Sequence, residues 1–345
     1  METPSADPRS QAEAAAGPRR RHRRMLAVVN PVAGPRGSQG AVKDLMDRAA
    51  KLDIDLDVVE TRPDLDGCEA VATRPGDYDC YLVLGGDGTV MEVAEAAIEN
   101  GVPMAILPRG TANAVAWHFG LPFDVGRALK VAAGGRPLKI DVARSPEQDF
   151  LIVAGLGYDA HVINDATRVL KRRLGFLAYL YAALKNLGRR PYSFRIYLDG
   201  GDPIRARGAM AVIANIGTLA GNIRLVKKVS PLDGKLDLLV IAPPNFGAFV
   251  RMVFWGLLGR LQEDPRAQYF QAARIRVECR PSGPLEIDGN PIDGRHREFS
   301  AEVLPQALTV MVPPEGMWKV PWMPEVPWSP SLPKNAPRRP GSVAR

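Results

Sequence analysis

The chain has 345 residues, 46% of them hydrophobic and 24% charged, with a formal net charge of +7. That length suits two domains, each with its own core, whereas the longest apolar stretch, residues 246–258, is interrupted by Gly247, Arg251 and Gly256 and falls short of the ~20 residues a membrane helix needs. Cys68, Cys80 and Cys279 are odd in number and widely spaced, which reads as reduced structural thiols rather than a disulfide or zinc framework. The N-terminal residues lack the apolar centre of a signal peptide, so the expected location is cytoplasmic.

Residues 1–24 read as a disordered basic leader that closes on the cluster Arg19 to Arg24. Such an arm either attracts anionic lipid headgroups, at about 1 kcal/mol per residue near the surface, or is simply solvated; the second reading is preferred. No aromatic residues are interleaved for base stacking, so nucleic acid is not an expected partner.

An alternation of strand and helix follows. Met25 to Val29 reads as a buried strand that runs into the loop Asn30 to Gly37, then a helix over Ala41 to Leu52 and a strand over Ile54 to Thr61. A short helix spans Cys68 to Thr73, and the apolar run Cys80 to Leu84 ends at Gly85-Gly86-Asp87-Gly88-Thr89, where a helical pattern begins. Met104 to Leu107 gives another strand, and Pro108 to Asn113 turns into a helix through Trp117. This grammar predicts a parallel sheet whose loops at Asn30, Gly85 and Pro108 meet along one edge, where such sheets place ligands. Glycines that admit close backbone approach, next to free amides at a helix start, suit a phosphate. The plainer reading is that Thr89 caps the helix and Glu92 completes a capping box. An aspartate at the loop tip, however, opposes a phosphate unless a metal intervenes.

From about Leu138 the pattern changes to period two, which predicts mainly antiparallel sheet. Two helical stripes interrupt it, Ala166 to Leu187 and Phe246 to Leu258, both read as core packing ahead of a lipid cleft. Beyond Val312 the chain is Pro-rich and carries Trp318, Trp322 and Trp328. Residues 305–333 read as a return segment near the domain seam and 334–345 as a frayed tail.

Six blocks, in order, carry a resemblance: NPVAG at Asn30, GGDGTVMEV at Gly85, LPRGTAN at Leu107, GLGYDA at Gly155, SPLDGKLD at Ser230 and IDGNP at Ile287. From Met25 to Pro313 the sequence resembles the diacylglycerol kinase catalytic-domain family, which includes bacterial lipid kinases, sphingosine kinases and ceramide kinases. The resemblance implies an α/β plus β fold: a Rossmann-like three-layer nucleotide domain, residues 25–137, followed by a two-sheet β-sandwich, residues 138–304, with helical insertions and a cleft between the two.

It further implies ATP contacts from Asn30, Thr61, Gly85, Gly86, Asp87, Gly88, Thr89, Gly110 and Thr111, with Glu92 supporting the loop. Arg36 could neutralise phosphoryl charge, and Thr111 could cap its helix. Asp87 would hold magnesium through water or take the acceptor's proton, and Asp288 shares that catalytic assignment with Asn290. Asp141 reads either as part of this network or as solvent-facing. Ser230, Asp233 and Lys235 would form a magnesium loop of hard oxygen donors, or an ion-free turn. Three positions depart from the family's habit: Met91 for asparagine, Ala114 for aspartate and Asn290 for glutamate. Asn290 cannot accept a proton at neutral pH. The expected activity is phosphorylation of a diacylglycerol-like lipid hydroxyl at a membrane surface, with peripheral contact at the inner face; a homodimer is left open. The alternatives are a non-catalytic lipid or nucleotide sensor and an NAD kinase-like enzyme with a soluble acceptor.

Overall fold

The computed structural model describes residues 23–34, 39–157, 191–220, 223–224, 226, 228–242 and 245–314. The expected helix over 166–187, the three C-terminal tryptophans, the frayed tail and Arg36 lie outside the described residues. The leader ends earlier than its charge suggests: Arg23 and Arg24 open strand β1 (Arg23–Val29), where Arg24 pairs with Asp57 at 2.8 Å.

Strands β1, β2 (Ile54–Glu60), β3 (Cys80–Gly85) and β4 (Met104–Pro108) are parallel and lie in the order β2-β1-β3-β4. The middle two have apolar runs because both sheet faces are covered. Helices α1 (Gln39–Lys51) and α5 (Val125–Gly134) pack Leu45, Ala49, Ala128 and Leu129 on one face. On the other, α2 (Gly67–Ala72), α3 (Asp87–Asn100) and α4 (Ala114–His118) pack Ala70, Val90, Val93 and Val115. The three expected layers are therefore present. The strand order reverses between β1 and β3, and open α/β sheets bind ligands outside the strand carboxyl ends at such a switch point.

Strand β5 (Arg136–Arg144) leaves this unit and leads to an antiparallel one: β6 (Val153–Leu156), β7 (Tyr192–Leu198), β8 (Ile204–Gly208), β9 (Met210–Ala214), β10 (Thr218–Ala220), β11 (Ile223–Arg224), β12 (Leu236–Ile241), β13 (Ala267–Ala272), β14 (Arg274–Ile287) and β15 (Asn290–Val312). Helix α6 (Phe246–Leu257) lies between β12 and β13. A second core gathers Phe150, Phe194, Leu238, Ile275, Leu285 and Phe299. The three cysteines are free thiols, two of them buried.

The 23-residue β15 spans the junction expected at 304/305. Its distal half pairs with β5 and, at Val310, with β4, so residues 305–312 are strand rather than a surface return segment. Leu138, Ile140 and Val142 of β5 and Leu308, Val310 and Val312 of β15 are buried in the first unit's core. Both units thus belong to one continuous sheet, 13-stranded among the described residues.

The ladder between β15 and β5 shifts register between Leu304 and Leu308, with Gln306 at φ 52°. Backbone donors released there need acceptors. Asp141, 1% exposed, accepts from the Gln306 amide at 2.8 Å through Oδ1 and from the Gly234 amide at 2.8 Å through Oδ2, while its own amide donates to Pro231. The solvent-facing reading of Asp141 is thereby replaced by a buried tie between β5, β15 and the Ser230 turn. Replacing Asp141 by alanine leaves two amides without acceptors, and the expected cost is about 2–5 kcal/mol, measured by urea unfolding.

Candidate functional site

Three loops converge at the carboxyl ends of β1, β3 and β4. Their closeness is set by glycine: a Cβ on Gly110 would lie 2.5 Å from the Gly86 Cα, and one on Gly34 would lie 3.1 Å from the Arg109 carbonyl oxygen. Asn30 Nδ2 donates to Thr89 Oγ1 at 3.1 Å and joins the first loop to the glycine loop. Arg109 amide donates to the Gly85 carbonyl at 2.8 Å and joins the second loop to the third. Thr61 ends β2 nearby, buried, with its amide on Val29 oxygen at 2.8 Å.

The capping expected of Thr89 and Glu92 is not what the structure has. The cap of α3 is Gly86, which offers no side-chain acceptor, and Thr89 is buried against Asn30. Glu92 points away from the loop and accepts from the Gly67 amide of α2 at 2.9 Å. A capping box does exist, at Asp66 and Glu69 of α2. The first-turn amides of α3 are therefore without a side-chain cap beside an exposed Gly88, whose added Cβ would meet nothing within 4 Å. Such a helix start favours an anion.

Thr111 is exposed and does not cap α4; Asn113 is the cap residue, at φ 47°. The Asn113 side chain closes the loop by accepting from and donating to Gly110, both at 2.7 Å. The carboxylate serving α4 comes from another helix. Asp87 accepts from the amides of Ala114 at 3.0 Å and Val115 at 3.2 Å. Burial pushes the Asp87 carboxyl above its usual range, against the lowering effect of those amides.

Asp288 reaches the same region from the second unit. Ile287 and Asn290 are paired across a two-residue turn in which Asp288 (φ 47°) and Gly289 (φ 83°) are both left-handed, the geometry favoured by Asp-Gly in tight hairpins. Its carboxylate accepts from the amides of Leu151, Ile152 and Val153 at 2.9, 3.0 and 2.9 Å. Burial nevertheless raises the Asp288 carboxyl to about 6, and the charge of Asp87 adds to the rise. Asn290 is exposed, two residues beyond.

The Ser230 to Lys235 turn is closed by its own bonds, Asp233 Oδ1 accepting from the Lys235 amide at 3.0 Å with Gly234 at φ 69°. Desolvation raises the Asp233 carboxyl, and the charge of Asp141 adds to it. Among the described residues no group of three or more His, Cys, Asp or Glu side chains gathers as a metal set. A cation here would therefore rely on carbonyl and water oxygens.

Three side chains were not singled out from the sequence. Asn113 is one. Asn215, fully buried, donates to the carbonyls of Asp141 and Leu151 at 3.0 Å each and links the Asp141 tie to the Asp288 shelf. Arg109 holds a buried Nε without a protein partner among the described residues. A polar residue inside the apolar run Met210 to Ile216 was the available signal for Asn215. Asp237, 2% exposed and raised to about 6 chiefly by burial, lies apart in a narrow apolar cavity walled by Val153, Val212, Leu239 and Tyr269.

Fold and site together define a parallel α/β unit with three closely packed glycine-bearing loops at one edge, joined through one sheet to an antiparallel unit that carries Asp288 on a tight turn. Comparison with known proteins is consistent in both halves. Residues 24–145 match the diacylglycerol kinase catalytic domain and residues 152–312 the YegS C-terminal NAD kinase beta sandwich-like domain. A diacylglycerol kinase of Mycobacterium tuberculosis is 29% identical over 318 residues, covering 87% of this chain and 99% of its own length. A probable lipid kinase YegS-like protein of Chromohalobacter salexigens is 31% identical over 239 residues, 66% of this chain and 74% of the relative. In fold, a putative diacylglycerol kinase from Bacillus anthracis superposes with a TM-score of 0.70 at 24% identity, over 84% of this chain and 97% of that one. The chain belongs to the diacylglycerol kinase catalytic-domain family, a family of kinases.

The raised Asp288 carboxyl has a signed consequence. In the fold it keeps its proton at pH values where the unfolded chain has ionised, so its stabilising effect is complete below about pH 4 and is lost as pH rises toward 6. The unfolding free energy of the protein relative to Asp288→Asn should fall by about 3 kcal/mol between pH 4 and 6 and then level off. Denaturant titrations of both proteins across that range measure it.

Proposed function

We propose that the protein transfers the γ-phosphoryl group of ATP to the hydroxyl of a lipid, with a diacylglycerol-type alcohol as acceptor. The observation that carries this reading is the convergence of the Gly85 and Gly110 loops, backbone against backbone, at the uncapped start of α3. Phosphoryl transfer depends on positioning and charge neutralisation, and a site needs a phosphate cradle and a nearby proton acceptor. The Gly85 to Thr89 and Gly110 to Asn113 loops form the cradle, and Arg109, with its buried Nε, supplies positive charge toward the phosphates. Thr61 and Asn30 hold its flank.

Magnesium supplies charge neutralisation on the phosphates when bound. Asp87 and Asp288 fit it through water, because each carboxylate already accepts backbone amides and retains lone pairs. The second set is Asp233 with the carbonyls of Ser230 and Lys235. In the reaction, the pair of desolvated aspartates takes the acceptor's proton; their mutual repulsion keeps one of them basic near neutral pH. The acceptor is drawn from the inner face of a membrane; no described helix is long and apolar enough to cross one.

Asn290 favours a second reading, a nucleotide- and lipid-binding sensor without turnover, because it removes a carboxylate from the exposed end of the turn. Transfer of radiolabelled phosphate from ATP to a lipid panel separates the two. The kinase reading expects a labelled lipid, about a hundredfold or greater loss in Asp87→Asn, and faster turnover in Asn290→Glu. ATP binding with no labelled lipid, and no gain in Asn290→Glu, would establish the sensor. Label on NAD alone would move the protein to a soluble acceptor.

A further inference from the structure

The antiparallel unit carries a second charged surface that the loops at Gly85 and Gly110 do not touch. Strand β7 lies between β8 and β14, and its register fixes which side chains share a face. Arg195 stands directly opposite Arg205 on one side and Glu278 on the other; Ser193 stands opposite Arg207 and Arg280. Side chains two apart on a strand point the same way, so four guanidiniums, one carboxylate and one hydroxyl occupy a single exposed face. They line a cleft of 530 Å³, across which Gln268 of β13 completes the wall.

Opposed like charges on neighbouring strands destabilise a sheet, and this sheet does little to offset them. Glu278 is drawn to Arg276 at 3.1 Å and to the Tyr197 hydroxyl at 3.0 Å, and meets Arg195 only at 3.9 Å. Arg205, Arg207 and Arg280 make no ion pair among the described residues. A solvated basic face would accept this arrangement only at a cost in stability. A ligand with several phosphate oxygens would remove the cost, since each guanidinium presents a planar fork that matches a phosphate.

We infer that the cleft between β7, β8 and β13 binds a multiply charged phosphate ligand, either a soluble polyphosphorylated compound or the headgroups of an anionic phospholipid. Arg280 is eight residues from Asp288 in the chain, and none of the residues lining the cleft belongs to the Gly85 loop, the Gly110 loop or the Asp288 turn. The site is therefore separate from the phosphotransfer edge and stands whether or not lipid is phosphorylated there.

The test uses the full chain, the double variant Arg205→Gln/Arg207→Gln, and a charge-matched control, Lys43→Gln/Lys51→Gln on α1. Binding is measured calorimetrically with inositol hexakisphosphate and by sedimentation with vesicles of equal parts phosphatidylcholine and phosphatidylglycerol. The arginine variant should bind at least one probe about tenfold more weakly than the parent, while the control stays within about twofold. Its melting temperature should stay the same or rise, because the opposed guanidiniums repel, which separates lost binding from lost folding. Loss with the soluble probe alone assigns the site to a free compound, and loss with vesicles alone assigns it to headgroups. Equal weakening in both variants, or no binding of either probe by the parent, overturns the inference.

Discussion

Irregular backbone must find acceptors for its amides, and in this protein aspartate carboxylates supply them where no strand is available. Asp87 takes two amides at the start of α4, Asp288 takes two just before β6 and one from its first residue, and Asp141 takes one from the Ser230 turn and one from the β15 irregularity. Each bond runs between segments far apart in the chain. Remove these carboxylates and the loops lose the positions that define the site, because the core residues beneath them fix only the strands.

The same bonds set the chemistry. A carboxylate that accepts several amides is normally held in its ionised form, yet burial outweighs that for Asp87 and raises Asp288 to about 6. Structural and chemical roles are therefore not alternatives at these positions. The geometry that immobilises each carboxylate against backbone amides also desolvates it, and the second effect prevails.

Much of the architecture was legible because strand–helix alternation and period-two patterning are local signals. The apolar runs at Met25, Cys80 and Met104 became parallel strands, and the three glycine-bearing loops met at one edge. Capping was misread at Thr89, Glu92 and Thr111, since a side chain three residues from a helix start is only one of several available acceptors. The distant Asp87 and Gly67 contacts decided the outcome. Residues 305–312 were read with the return segment, and their pairing to β5 is a matter of topology that no local pattern carries. The role of Asn215 was equally hidden, as its partners lie 64 and 74 residues away.

The long strand β15 has a mechanical consequence. A continuous strand transmits force along its length, and this one runs from the Asp288 turn, where it pairs with β14, to the first unit's sheet, where it pairs with β5 and, at Val310, with β4. The halves of the molecule are thus leaves of one spring. Its compliance concentrates where the β15–β5 ladder is interrupted near Gln306, the point that Asp141 clamps. A load passing between the units along this strand must cross that interruption, which a residue outside the glycine-bearing loops holds in place.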